Sequence, residues 1–103
     1  MIVVIFRIRM KPDADLKDYA ARIAQLLPEA QKIPGFVSLR SYSSPDGENL
    51  GLVEFETEEA LEQWRQHPQH NIAKQLGRTK FYADLNVQIC RTIDEYSYKY
   101  PPA

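Results

Sequence analysis

Residues 2–10, IVVIFRIRM, place Ile2, Val4, Phe6, Ile8 and Met10 on one parity. The other parity runs Val3, Ile5, Arg7, Arg9, apolar first and then charged. Such alternation among β-branched residues predicts a strand, buried on both faces at its start and on one face at its end. Lys11-Pro12-Asp13 breaks it. From residue 14 to 32 the period changes. Leu16, Ala20, Ile23, Leu27 and Ala30 recur at helical spacing, with Tyr19 and Leu26 beside them and Lys17, Arg22, Gln25, Glu29 and Lys32 opposite. That pattern predicts an amphipathic helix, with Asp13 or Asp15 accepting its first free backbone N–H groups. Pro28 has no N–H and crowds the preceding turn, so a kink or break is expected near Leu27. Ile33-Pro34-Gly35 ends the segment.

Residues 36–43 alternate again, with Phe36, Ser38, Arg40 and Tyr42 on one face. Ser44-Pro45-Asp46-Gly47 is a turn signal, and residues 50–56 form the returning strand of a hairpin. Thr57 caps a short helix whose first turn carries Glu58 and Glu59, where the helix dipole favours acids. Ala60, Leu61 and Trp64 are its apolar face. Pro68 starts a second helical piece with His67 as its cap. Ile72, Ala73 and Leu76 are the apolar face of that piece, and Gly77 is expected to end it. Residues 81–93 alternate once more and predict the last strand. Beyond residue 95, Tyr96, Tyr98 and Tyr100 lie at every second position of a short tail.

The order β-α-β-β-α-β predicts an α+β, ferredoxin-like fold: a four-stranded antiparallel sheet with helices on one face. Residues 1–95 form one domain and residues 96–103 a tyrosine- and proline-rich tail. The first strand is apolar on both faces while helices cover one, so the bare face is an interaction surface. A symmetric homodimer that closes two sheets on each other is the economical solution.

Composition narrows the function. The 103 residues are 44% hydrophobic and 26% charged, with a formal net charge of −1. That balance predicts an ordered domain and excludes a strongly basic nucleic-acid footprint. The single cysteine, Cys90, excludes an internal disulfide and a cysteine-based zinc site. The apolar start, Ile2–Phe6, is too short for a signal core or a membrane span. The expected setting is the cytoplasm, with no membrane partner.

Few residues invite chemistry. Trp64 is either core filler or a pocket wall that stacks on a flat ligand. His70, one turn into the second helical piece, is either a surface group or an acid–base group. His67-x-x-His70 would need one continuous helix to chelate a metal, and Pro68 interrupts it, so no metal site is expected. Arg40 and Arg78 read as solvated edge charges or helix C-terminal cations, with Tyr82 four residues beyond Arg78. Cys90 has no neighbouring base. A phosphate loop, a nucleophile elbow and a dinucleotide fingerprint are all absent from the sequence.

The run Ile33-Pro34-Gly35-Phe36, a hairpin ending in Glu54-Phe55, and Ala60-Leu61-Glu62-Gln63-Trp64 together resemble the antibiotic biosynthesis monooxygenase (ABM) domain family. So do Trp64-Arg65-Gln66-His67-Pro68-Gln69-His70, Leu76-Gly77-Arg78 and the closing Val87-Gln88-Ile89-Cys90. The resemblance spans about residues 2–93. It implies a dimeric α+β barrel with a ligand pocket between sheet and helices in each subunit. Some members oxidise polycyclic phenols or quinols to quinones with dioxygen and no cofactor; others break down haem. Trp64 matches the pocket tryptophan of active members. His70 stands where quinone-forming members can carry a tyrosine. Phe6 and Lys74 stand about where haem-degrading members place an asparagine and the axial histidine, which argues against haem degradation. The resemblance thus implies a cofactor-independent monooxygenase acting on a small aromatic molecule. His70 would be the base or hydrogen-bond partner, its pKa near working pH, Trp64 would stack the ring, and Phe36, Arg78 and Tyr82 would contact the substrate. The alternative is a non-catalytic dimer that binds a small hydrophobic molecule.

Overall fold

The computed structural model describes residues 1–101; residues 102 and 103, the end of the expected tail, lie outside the described residues. The elements follow the predicted order: β1 (Ile2–Met10), α1 (Leu16–Gln31), β2 (Phe36–Ser43), β3 (Asn49–Phe55), α2 (Glu58–Arg65), α3 (Pro68–Leu76) and β4 (Tyr82–Arg91). A π-helical turn, Gly77–Phe81, joins α3 to β4. The strands form one antiparallel sheet in the order β2-β3-β1-β4.

Register assigns the faces. Ile2 lies opposite Phe55 on one side and Arg91 on the other; Val4 lies between Val53 and Ile89, and Phe6 between Gly51 and Val87. Facing residues in an antiparallel pair project to the same side. The buried core draws on that side alone: Ile2, Val53 and Phe55 pack with Ala30 in α1's last turn, with Ile33 just beyond it, and with Ala60, Leu61 and Trp64 of α2. Phe36 meets Phe55 edge to face at 5.9 Å. On the other face Val3, Ile5, Leu50 and Leu52 are only half-buried, since no helix covers them.

The caps are those expected. The Asp15 carboxylate accepts from Asp18 N–H at 3.0 Å, and Thr57 Oγ1 accepts from Ala60 N–H at 3.1 Å. In the hairpin, Gly47 N–H donates to the Ser44 carbonyl at 3.0 Å, with Gly47 at φ +93°, a backbone region that favours glycine.

Three expectations need correction. Pro28 does not break α1, which runs unbroken to Gln31. Its missing N–H removes the bond to the Ala24 carbonyl, but only the last turn follows it, and burial of Ala30 and Ile33 holds that turn on the sheet. Gly77 does not stop α3. Its φ of −56° and ψ of −49° are right-handed helical, and the chain widens into the π turn instead. Glycine is needed there for another reason: a Cβ would run into the Tyr82 ring. Ile72 is 51% exposed, so of the expected apolar face of α3 only Ala73 and Leu76 are partly buried.

Candidate functional site

The local sequence at the α2–α3 junction builds an aromatic stack. Trp64 projects from the inner face of α2 and is 6% exposed. Its carbonyl accepts from His67 N–H at 3.1 Å, which closes the chain tightly between the helices. His67 Nδ1 then accepts from Gln69 N–H at 3.1 Å and caps α3, while Nε2 faces the Glu29 carboxylate at 3.5 Å. Pro68 takes the first helical position, where its missing N–H costs nothing. This geometry lays His70 over Trp64, with ring centroids 4.6 Å apart and planes 28° from parallel. The His67 ring lies 5.5 Å from the same indole.

His70 is half-buried, and its Nδ1 is shielded from solvent with no hydrogen-bond partner. An orphaned polar atom of this kind is uncommon, because leaving it unpaired costs about 1–3 kcal/mol. Burial pushes the His70 pKa down to about 4; the Lys74 ammonium lowers it further, and the Trp64 carbonyl opposes both. The ring is therefore neutral at neutral pH. The expectation of a pKa near working pH is corrected accordingly: His70 is placed to accept a hydrogen bond and is a weak base.

This shift has a thermodynamic consequence. Between pH 6.5 and about 4 the unfolded chain binds a proton at His70 that the folded chain refuses. Stability should fall as the pH drops through that window and lose nothing more to this group below it. Thermal midpoints across the window should slope more steeply for the wild type than for His70→Gln. Equal slopes would mean that the imidazole is solvated.

A second feature lies on the neighbouring flank of α3. Gln69, Ile72, Ala73 and Leu76 face α1 across a cleft of about 60 Å³, closed at one end by Tyr19, Phe81 and Tyr82. Tyr19 and Tyr82 share a hydrogen bond between their hydroxyls at 3.1 Å. Tyr19 also meets the Phe81 ring at 5.2 Å. Burial and the Tyr19 hydroxyl raise the Tyr82 pKa far above that of an ordinary phenol, so it serves as a neutral hydroxyl. Lys80 ties the π turn to α1 through Asp18 at 2.7 Å, which holds that carboxyl below its usual range.

The structure brings Trp64 and His70 together. It does not gather the remaining sequence candidates around them. Tyr82 lines the Tyr19 cleft, and Arg78 is exposed on the π turn. Phe36 lies opposite Phe55 at the Ile2 end of β1, whereas Tyr82 lies opposite Met10 at the other end. Eight residue steps of extended chain separate those ends by about 27 Å, so one small ligand cannot touch both within a subunit. Tyr19 has no sequence signal as a site residue, because its partner is distant in the chain and the helical stripe already explains it. Among the described residues no group of three His, Cys, Asp or Glu converges to hold a metal ion. No helix among them is long and apolar enough to cross a membrane.

Comparison with known proteins adds family and fold. The sequence model of a family described as antibiotic biosynthesis monooxygenase matches residues 1–75. The uncharacterized protein YqjZ of Bacillus subtilis is 26% identical over 89 residues, which cover 86% of this chain and 75% of that protein. Among solved structures, Rv0793 from Mycobacterium tuberculosis superposes with a TM-score of 0.78 at 25% identity, covering 93% of this chain and 98% of its own. SnoaB, a cofactor-independent oxygenase from Streptomyces nogalater, gives a TM-score of 0.76 at 10% identity, covering 91% and 94%. At that identity SnoaB speaks for the fold alone.

Proposed function

Because the chain belongs to the antibiotic biosynthesis monooxygenase family, we propose that it oxidises a small phenol- or quinol-type aromatic with dioxygen, with Trp64 and His70 holding the substrate. The observation that carries this reading is the unpaired, shielded Nδ1 of a neutral imidazole stacked on a tryptophan. A phenolic O–H is the complement of such an atom because it donates one hydrogen bond; Nδ1 is closed to solvent and the imidazole covers the indole, so binding requires the His70 ring to turn outward and open both.

The chemistry balances without an outside reductant. A phenol and dioxygen yield a quinone and water. In a phenol one oxygen atom enters the ring carbon para to the hydroxyl, and the other leaves as water with the O–H hydrogen and the displaced ring hydrogen; in a quinol the two O–H hydrogens pass to dioxygen, giving the quinone and hydrogen peroxide. A phenol with a pKa near 10 does not transfer its proton to an imidazole titrating near 4. His70 therefore orients the phenol and receives the proton as the ring loses an electron to dioxygen, since the oxidised phenol is a far stronger acid. The reaction so written calls for no resident flavin, haem or metal. Oxygen-electrode traces with a panel of hydroquinones and polycyclic phenols test it: the expected result is substrate-dependent uptake with a quinone chromophore, and no uptake on any of them overturns it.

The second reading, a non-catalytic dimer that binds a small hydrophobic molecule, draws on a different observation. Trp64 is deep in the core, whereas a groove of about 360 Å³ beside Ile2, Leu61 and Ile89 falls within the ~300–1,000 Å³ of typical ligand sites. Binding without turnover would favour it.

In both readings the working form is a homodimer in the cytoplasm, built from a single domain over residues 1–95. Val3, Ile5, Leu50 and Leu52 on the helix-free face are the apolar surface that a second copy would cover. Light scattering at micromolar concentration should give twice the chain mass of 11.9 kDa. Ile5→Glu should shift that mass toward the monomer, and a wild-type monomer would contradict the assembly.

A further inference from the structure

Gly35 and Gly47 stand in turns and Gly77 in the π turn, but Gly51 lies inside β3. Glycine weakens a strand interior, and it marks a place where something else comes close. Here that is the ring of Phe6, because a Cβ at Gly51 would fall within it. The ring therefore leans from β1 across β3, with its tip over the Gly51 backbone.

Phe6 has two neighbours on the helix-side face, Gly51 on β3 and Val87 on β4. Paired strands stand about 4.8 Å apart, so the ring can cover one neighbour or the other. Having taken Gly51, it leaves Val87 bare. Val87 is 50% exposed on the side the helices occupy, and Leu85 and Ile89 are 38% and 47%. Leu85, Val87 and Ile89 span four residue steps, an aliphatic floor about 13 Å long. The Phe6 ring borders one long side of that floor. Phe6 and Val4 in turn pack against the buried cluster that holds Trp64. At the Ile89 end the floor opens into the groove beside Ile2 and Leu61.

A flat aromatic molecule fits this arrangement. Its face would lie on the three aliphatic side chains, and the Phe6 ring would meet its edge. The groove at the end has the volume of a small-molecule site. An aromatic ring over a glycine also steadies a sheet by itself, but that role is indifferent to what lies on Val87. The added methyl of alanine at position 51 would displace the Phe6 ring toward Val87 and cover the floor.

We propose that Phe6 is a specificity-determining residue of the aromatic site and that Gly51 positions it, holding the ring over β3 so that the substrate ring lies on Val87. The inference rests on the phenol-oxidation reading and adds where the ring lies. Methyl NMR titrations of the full-length protein with 2-naphthol test it. The Leu85, Val87 and Ile89 methyl signals should move upfield to saturation, as methyls under the face of a ring do. Gly51→Ala should weaken this binding at least about tenfold, the scale of an overpacked site. Phe6→Ala opens a hollow over Gly51 and should shift the preference toward the wider 9-phenanthrol at least about fivefold, through the extra apolar area buried. Phe6→Ala/Gly51→Ala should bind 2-naphthol as Phe6→Ala does, because the added methyl then has no ring to displace. A double variant as weak as Gly51→Ala would mean that alanine acts through the sheet, and would overturn the proposal. So would Gly51→Ala binding like the wild type, or an unchanged preference in Phe6→Ala. Substrate-dependent oxygen uptake without shifts at these methyls would overturn the inference and leave the oxidation reading standing. Shifts at these methyls without uptake on any phenol would overturn the oxidation and leave the aromatic site.

Discussion

Replacing His70 with alanine should lower oxygen uptake on an accepted phenol at least about tenfold, and by as much as a hundredfold, with most of the loss in kcat. The reasoning starts from the orphaned Nδ1. In the free protein its missing hydrogen bond is a standing cost; in the substrate complex the phenol supplies it. Alanine removes the acceptor and the ring that lies on Trp64. His70→Gln keeps a neutral acceptor at nearly the same reach and should retain more activity than alanine does. The same reasoning sets the pH profile. With the imidazole titrating near 4, kcat should be flat from pH 6 to 8 as far as this group is concerned. Circular dichroism of each variant separates lost chemistry from lost folding. Uptake unchanged in His70→Ala would discard His70 while keeping the oxygenase, and a profile with its midpoint near 6.5 would mean that substrate binding re-solvates the ring.

The largest effect on stability should come from Phe55→Ala. Phe55 is fully buried at the junction of β1, β2 and β3. It packs among Ile2, Ala30, Ile33, Ala60 and Leu61, with the Phe36 ring against it. Truncating it removes buried ring area and leaves a cavity that the six surrounding side chains cannot all relax into, a loss of about 3–5 kcal/mol. Domains of this size have only about 5–15 kcal/mol in total. Urea denaturation should show a much lower midpoint with an unchanged slope. A shift below about 1 kcal/mol would mean that the core repacks around the site.

Element order and type were legible because each depends on local pattern. The alternation in β1, the stripe in α1, and the Thr57 and His67 caps express forces that act within a few residues. The same locality explains the misreadings. Pro28 disfavours a helix interior in isolation, yet packing of Ala30 and Ile33 outweighs one lost hydrogen bond. Gly77 looks like a helix stop, but what selects glycine there is the Tyr82 ring, which the π turn brings over it.

Trp64 and His70 were legible as a pair because they stand six residues apart across a predicted helix junction. Their states were not. Whether an imidazole titrates near 6.5 or near 4 depends on what surrounds it, and no periodicity carries that. The hydrogen bond between Tyr19 and Tyr82 spans most of the chain, and the separation of Phe36 from Tyr82 comes from strand register.

By itself, then, the sequence determined an α+β chain of βαββαβ order, its caps and turn, and a sheet apolar on both faces, all consequences of short-range hydrophobic period and backbone hydrogen bonding. Tertiary structure alone decided which candidates share a site, which histidine nitrogen is left unpaired, and that β4 keeps an uncovered stripe. Those are properties of relative position, set when distant segments exclude water from one another.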